Sequence, residues 1–182
     1  MKILLTAPPR TGKSTVLKNV IEKYKGNTYG ILALEVLDEY SKRVGFQFVN
    51  MQGESRVFMH TSPQIIQSEV IVGNKYFIDI QTIENFAAAE IRKGLNQEGL
   101  IIIDEIGRAQ SNSVEFLNVV RDLCDNNTNF IGTIVYDDEE WAREFKTHPN
   151  VTIVEVTLEN REDLAEILIE MINSENSEVR IK

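Results

Sequence analysis

Residues 7–14, which read APPRTGKS, have the spacing of a loop that holds phosphate groups. Such a loop needs backbone N–H groups aimed at one point, a helix start behind them, one amine and one hydroxyl. Gly12 allows close approach of the backbone, Lys13 would reach the β- and γ-phosphates, and the Ser14 hydroxyl would bind Mg²⁺. The predicted nucleotide-binding residues of this loop are Ala7, Pro8, Pro9, Arg10, Thr11, Gly12, Lys13, Ser14 and Thr15.

The position of this loop in the chain strengthens the prediction. Gly-Lys followed by Ser or Thr arises by chance about once in ten proteins of this length. Here the loop follows the apolar run 2–6 and precedes the amphipathic stretch 14–25, which is the strand–loop–helix order that the motif requires. Ala7 stands where a glycine is usual, and Arg10 stands where a small residue is common, with a side chain that can point outward.

A second group of reactive side chains follows the apolar run 100–103. Asp104 ends this predicted buried strand, at the edge where ligands bind in open α/β sheets, and would hold Mg²⁺ directly or through water. Glu105 would polarise a water for in-line attack on the γ-phosphate. The alternative is that Asp-Glu merely ends a strand. Thr133, on the next predicted strand, either contacts the γ-phosphate or is an ordinary strand residue.

An arginine of the same chain can stabilise the charge on a transferring phosphoryl group. We favour Arg43 or Arg56 for this catalytic role, because the hairpin that carries them would lie beside the phosphate loop. A single arginine is otherwise more typical of a solvated surface. The basic residues nearest the predicted site in the sequence are Arg10, Arg43, Arg56, Arg108 and Arg161.

Short apolar runs alternate with amphipathic stretches along most of the chain. This alternation predicts an α/β fold with a largely parallel central sheet flanked by helices. Together with the phosphate loop and the carboxylates at 104–105, it predicts a P-loop NTPase fold. Residues 28–80 break the alternation with turn signals at 52–53 and 73–74, and predict an antiparallel β-hairpin insertion at one edge. The predicted strands are 2–6, 29–36, 46–51, 76–80, 100–104, 129–136 and 151–157. The predicted helices are 14–25, 83–95, 113–125, 139–147 and 160–175.

Length and composition restrict the class of protein. The 182 residues predict one domain over 1–175, followed by a tail over 176–182. A net charge of −9 argues against DNA binding, because phosphate binding needs clustered Lys and Arg. Cys124 is the only cysteine, which excludes an internal disulfide, and we expect a buried core thiol in a cytoplasmic protein. No run reaches the ~18 apolar residues of a membrane span, so no membrane helix is expected. We also expect a monomer.

Several segments resemble the thermophile-type nucleoside triphosphatases, a family that includes the cancer-related nucleoside triphosphatase of animals. The resemblance covers most of the chain. Its most specific part is the segment 103–107, IDEIG, followed by Ser113 and Phe116. Besides the phosphate loop, it also rests on the segments 30–46, 72–84 and 156–163.

The resemblance implies slow, Mg²⁺-dependent hydrolysis of nucleoside triphosphates to diphosphate and phosphate, with little choice of base. It implies a fold close to that of nucleotide kinases and a role for Glu105 as the base. Asn160 and Arg161 match a segment expected near the nucleobase, and Glu35 and Arg43 match hairpin positions that face the site. The chain departs from the family pattern at Ala7, Arg10, Ser14, Leu37 and, where Met-Glu is usual, at Ala109-Gln110.

Two other functions fit the same motifs. A nucleotide or nucleoside kinase usually needs an arginine-rich lid that excludes water, whereas the nine arginines of this chain are scattered. A glutamate placed straight after the metal-binding aspartate also suits water activation better than acceptor binding. The other alternative is a nucleotide-dependent switch protein, in which hydrolysis only resets the shape.

Overall fold

The computed structural model describes the backbone of residues 1–179 and the side chains of residues 1–174. The strands are β1 (Lys2–Thr6), β2 (Thr28–Leu37), β3 (Arg43–Asn50), β4 (Ser55–His60), β5 (Ile71–Val72), β6 (Tyr76–Ile78), β7 (Leu100–Ile106), β8 (Asn129–Ile134) and β9 (Thr152–Glu155). The helices are α1 (Lys13–Lys23), α2 (Ile80–Thr82), α3 (Ala89–Gly94), α4 (Val114–Asp125), α5 (Glu140–Lys146) and α6 (Leu164–Val179). A π-helical segment (Ile83–Ala88) joins α2 to α3, and a 3₁₀ turn (Gln110–Asn112) precedes α4.

The tail predicted over 176–182 falls partly on α6, which continues to Val179, and residues 180–182 lie outside the described part of the chain. Helical backbone therefore continues four residues beyond the predicted end of the domain at 175. None of the helices within residues 1–179 is long and apolar enough to cross a bilayer.

Within residues 1–179, nine strands form one sheet in the order β5-β6-β4-β3-β2-β7-β8-β1-β9. The neighbouring strands β2, β7, β8, β1 and β9 pair in parallel. On the other side of β2, the strands β3, β4, β6 and β5 follow one another in antiparallel pairs. The predicted α/β fold with an antiparallel edge is therefore confirmed. The central strands pair in parallel, and the insertion makes the sheet as a whole mixed, because the short connections between β2, β3 and β4 permit only antiparallel neighbours.

Polar turns fix the antiparallel half, which we define as β3 to β6. The Asp38 carboxylate accepts two backbone N–H bonds in the β2–β3 turn, and Asn50 does the same in the β3–β4 turn. Gly53 has a φ of 86°, while Gly73 and Asn74 have φ values of 62° and 52° in the β5–β6 turn. Both predicted turn signals are confirmed, since these positions need the left-handed region.

Helices cover both faces of the parallel half, which we define as β1, β2, β7, β8 and β9. On one face, α1 and α6 pack through side chains such as Leu17 and Leu168, which are fully buried. On the other face, α3 and α4 contribute Ile91 and Phe116. Burying each such side chain stabilises the fold by about 1.5–3 kcal/mol. Strands covered in this way read as unbroken apolar runs, as β1 does.

The core that contains Ile91 and Phe116 extends into the antiparallel half. It does so through the stacked rings of Phe48 and Phe58, whose centroids are 3.7 Å apart. Cys124 lies in the same core and is fully buried, as predicted from its spacing. Burial raises the pKa of the Cys124 thiol to about 12. The thiol therefore stays protonated near neutral pH and acts as a small apolar side chain.

Candidate active site

The loop of residues 7–12 connects β1 to α1 at the carboxyl edge of the parallel strands. Gly12 takes the N-cap position of α1 with a φ of 114°, and its carbonyl accepts the Val16 N–H at 3.0 Å. No side chain caps this helix start, so the first N–H groups of α1 are directed at the loop, which favours a bound anion. Arg10 is exposed and has a φ of 66°, in agreement with an outward-pointing side chain.

Lys13 is held against the same loop. Its Nζ donates to the Ala7 carbonyl at 2.8 Å and lies 3.5 Å from the Pro8 carbonyl. The Thr11 hydroxyl also donates to the Pro8 carbonyl, at 2.8 Å. Ala7 is fully buried where β1 ends, so the residue that replaces the usual glycine fits this position. The ammonium group is thus positioned within the loop that the sequence assigns to phosphate.

Asp104 joins the two strands that carry the motifs. Its side chain is buried, and Thr133 Oγ1 donates to Asp104 Oδ1 at 2.7 Å. The hydroxyl of Ser14, at the start of α1, lies close enough to the same carboxylate to lower its pKa. Thr133 lies on β8, which separates β7 from β1 in the sheet. Its hydroxyl therefore contacts Asp104, and the two predicted metal ligands, Ser14 and Asp104, line the same cavity.

The charges of this site favour a bound cation. Burial raises the pKa of Asp104, against the hydrogen bonds from Thr133 and Ser14 and the positive charge of Lys13. Burial also raises the pKa of Glu105, the negative charge of Asp104 raises it further, and Lys13 opposes both effects. A cation beside these two carboxylates would offset their burial and their mutual repulsion.

Glu105 lies on a cavity of about 320 Å³ between the parallel half and the antiparallel half. Ser14, Asp104 and Glu105 form one end of this cavity, together with Pro9 of the phosphate loop. The remainder of the wall is mostly apolar and comes from five strands or their ends: Ala33, Phe46, Phe58, Met59, Val72 and Val135. A polar end that carries the candidate catalytic residues thus continues into an apolar space, and we call the whole the catalytic cavity.

A second cavity of about 240 Å³ lies on the other side of the phosphate loop, along α1. The Cδ of Arg161 lies 3.4 Å from where a Cβ on Gly12 would be, so Arg161 closes over the loop. Asn160 fixes the turn before α6, accepting the Thr157 N–H at 2.8 Å and donating to the Glu155 carbonyl at 2.9 Å. This cavity is lined by Gly12, Thr15, Val16, Asn19, Arg161 and Glu162.

The two arginines favoured from the sequence lie outside the linings of both cavities. Arg43 pairs with Glu35 at 2.8 Å and lies over the Phe46 ring, 5.0 Å from its centroid. Arg56 lies over the Phe86 ring, 5.5 Å from its centroid. Arg43 therefore reaches the catalytic cavity only through Phe46, a side chain of its wall.

Arg108 is the arginine that lines the catalytic cavity, among the basic residues that the sequence places near the site. Its guanidinium group pairs with Asp137 at 2.6 Å and with Glu139 at 2.7 Å. Its charge is therefore partly neutralised beside Glu105. The sequence identified Arg108 as near the site, but only the packing of the segment after β7 brings it to the cavity.

The family described as NTPase matches residues 2–169 of the chain. The protein belongs to this NTPase family. Its relatives include the nucleoside-triphosphatase THEP1 of Aquifex aeolicus, which is 30% identical over 180 residues, with 94% of this chain and 99% of the relative covered. The THEP1 protein of Thermotoga maritima is 28% identical, with 98% of this chain and 99% of the relative covered.

Two solved structures have the same fold. The crystal structure of THEP1 from Aquifex aeolicus has a TM-score of 0.82 and 29% identity, with 94% of this chain and 98% of that chain covered. The solution structure of a human cancer-related nucleoside triphosphatase has a TM-score of 0.76 and 24% identity, with 95% and 97% covered, and supports the fold alone. These comparisons confirm the predicted family, the P-loop NTPase fold and the class of enzyme.

Proposed function

We propose that this NTPase hydrolyses nucleoside triphosphates to diphosphate and phosphate, with Mg²⁺ and with little choice of base. The observation that carries the proposal is the convergence of the Lys13 ammonium, the Ser14 hydroxyl and the buried Asp104 carboxylate at one edge of the sheet, beside Glu105. These are the groups that triphosphate hydrolysis needs, and they lie at the same edge of the neighbouring strands β7, β8 and β1.

The triphosphate would bind in the phosphate loop. The first N–H groups of α1 and the Lys13 ammonium bind the β- and γ-phosphates, while Thr15 lies toward the α-phosphate. Arg161 and Asn160 are proposed to border the nucleoside, on the side of the second cavity. Because a guanidinium plane stacks on any base, little base selectivity is expected.

Ser14 and Asp104 fit a magnesium site. Both supply oxygen, the donor that Mg²⁺ prefers, and one or two protein ligands plus substrate phosphates are its usual set. Within the described side chains, no group of three or more His, Cys, Asp or Glu could hold a metal ion. The two oxygen donors, from Ser14 and Asp104, match a cation that binds together with the nucleotide. When bound, Mg²⁺ neutralises charge on the phosphate oxygens.

Glu105 is the proposed general base. It would accept a proton from water as the water oxygen bonds to the γ-phosphorus and the bond to the bridging oxygen breaks. Its raised pKa makes its carboxylate a better proton acceptor than an ordinary glutamate. Arg43 and Arg56 stay predictions for the group that stabilises charge on the γ-phosphate, and Arg108 joins them because it lines the cavity.

Phosphate release from each nucleoside triphosphate, with Mg²⁺ and no acceptor, tests the proposal. We expect Lys13→Ala and Glu105→Gln each to lower the release at least ~100-fold, or about 2.7 kcal/mol. Lys23→Ala, at the far end of α1, is the matched control and should lie within twofold. Tight nucleotide binding without release would instead support the switch protein. A monomeric state, a cytoplasmic location and the lack of DNA binding stay predictions.

A further inference from the structure

The catalytic cavity is larger and more apolar than the attack of water requires. Beyond Glu105 it is bordered by Ala33 of β2, Phe46 of β3, Met59 of β4 and Val72 of β5. Its volume of about 320 Å³ lies at the lower end of the range of roughly 300–1,000 Å³ that is typical of small-molecule pockets. An apolar wall does not help to position water, whereas it suits the ring or chain of an organic ligand.

Gln110 provides a polar anchor in this cavity. Its side chain is 3% exposed, faces the cavity and makes no hydrogen bond within the described residues. Gln110 Oε1 and Glu105 Oε2 lie 3.2 and 3.3 Å from the same point, where a Cβ on Gly107 would be. Its carboxamide borders the open space of the cavity, where it can bind a polar group of a ligand. A hydroxyl group held there would satisfy Gln110 and lie beside the carboxylate.

The charges around the cavity favour an uncharged ligand. Arg108 is paired with Asp137 and Glu139, and Arg43 is paired with Glu35. Three carboxylates line the same space: Asp104, Glu105 and Asp137. A phosphorylated acceptor would therefore meet negative charge where nucleotide kinases need positive charge. A neutral molecule with a planar ring and a hydroxyl group suits both the apolar wall and the Gln110 anchor.

We propose that this cavity binds an uncharged nucleoside and that the protein transfers the γ-phosphoryl group to the nucleoside hydroxyl. The proposal rests on the nucleotide site described above, with the nucleoside in the place of the attacking water. The hydroxyl oxygen bonds to the γ-phosphorus, the bond to the bridging oxygen breaks, and the hydroxyl proton passes to Glu105. The products are a nucleoside monophosphate and the diphosphate of the donor. Phe46 and Met59 contact the base, and Gln110 holds the hydroxyl.

The test uses the full chain with Mg²⁺ and ATP, and with guanosine, cytidine or uridine added singly. Nucleoside monophosphate and free phosphate are measured in the same sample by chromatography with mass detection. We expect at least one nucleoside to be phosphorylated and, at saturation, to lower phosphate release at least twofold. Phosphate release with no monophosphate from any of the three would overturn this inference and leave hydrolysis standing. Loss of both products would overturn both proposals. Faster phosphorylation of GMP, CMP or UMP than of their nucleosides would overturn the uncharged acceptor.

Variants locate the acceptor. Ala33→Leu fills the apolar end and should lower the ratio of monophosphate to free phosphate at least tenfold. Ala89→Leu makes the same change at a half-buried alanine of α3, outside the cavity lining, and should keep that ratio within twofold. Gln110→Leu should raise the KM for the nucleoside about tenfold. Thermal unfolding of each variant shows that it folds. Equal changes in the ratio for the Ala33 and Ala89 variants, or no change for either, would contradict the placement of the nucleoside in this cavity.

Discussion

The two halves of the sheet contribute different things to the site. The parallel half brings its charged groups to one edge, because the carboxyl ends of parallel strands lie together, and there Lys13, Ser14 and Asp104 meet. The antiparallel half contributes strand faces rather than strand ends, and with them the apolar wall around Phe46 and Met59. The comparison teaches that the proposed phosphate chemistry depends on strand ends in one half, while the shape of the adjoining space depends on side-chain faces in the other.

The largest effect should come from the charged edge of the parallel half. Asp104→Asn removes the carboxylate that Ser14 and Thr133 contact, and should lower kcat at least ~1,000-fold, or about 4 kcal/mol. Phosphate release is measured over a range of Mg²⁺ concentrations. Asp125→Asn, at the end of α4, is the control and should leave kcat within twofold. A loss of less than tenfold at Asp104 would show that the charged edge is not catalytic.

The next effect concerns stability within the parallel half. Gly30 of β2 has a φ of 96°, and a Cβ there would lie 2.1 Å from the Ile102 carbonyl oxygen of β7. Gly30→Ala should therefore lower the free energy of unfolding by about 3 kcal/mol, combining backbone strain with a steric clash. Gly53→Ala, in the open β3–β4 turn with a φ of 86°, is the matched control and should cost only about 1 kcal/mol.

Urea denaturation of both glycine variants measures this difference. Similar losses at Gly30 and Gly53 would mean that the close approach of β2 to β7 is relieved by a small backbone shift. A larger loss at Gly53 would place the more demanding packing in the antiparallel half and reverse the comparison.

The placement of the proposed phosphate-binding residues at one edge was predictable from the sequence, because it depends on local information. Residues 7–15 are contiguous, and Asp104 and Glu105 end one apolar run, so strand polarity alone places them at a common edge. The sequence also placed Thr133 on the next strand of the site, although it left open whether Thr133 contacts phosphate. In the structure its hydroxyl bonds to Asp104, which depends on β8 lying between β7 and β1.

The apolar wall was not predictable because it depends on register. The pairing of β3 with β4 shifts between Phe46 and Gln47, so that Phe46 pairs with Met59 while Gln47 pairs with Val57. Phe58 is therefore the extra residue of a bulge, and it both stacks on Phe48 and borders the cavity. A one-residue change in that shift would exchange the two faces of β4, and no spacing in the sequence specifies it.

A smaller effect separates the arginines of the two halves. Arg108→Ala should lower kcat about tenfold, or 1.4 kcal/mol, because Arg108 lines the cavity beside Glu105. Arg43→Ala and Arg56→Ala should change kcat less than threefold, since both side chains lie against rings outside the cavity linings. Measured kcat and nucleotide affinity, taken separately, rank the three variants. A tenfold loss of kcat at Arg43 or Arg56 would assign the catalytic charge to the antiparallel half.

The smallest effect should come from the ion pair on the rim of the antiparallel half. Glu35 and Arg43 are joined at 2.8 Å, with side-chain exposures of 53% and 38%, and an exposed pair contributes only about 0–1 kcal/mol. Glu35→Gln should therefore lower the free energy of unfolding by less than about 1 kcal/mol, and the difference should shrink in high salt. Phosphate release should change less than twofold, although the family resemblance places Glu35 toward the site. A tenfold loss of phosphate release with normal stability would show that Glu35 acts on the bound nucleotide. Strand faces, as well as strand ends, would then supply charged groups to the site.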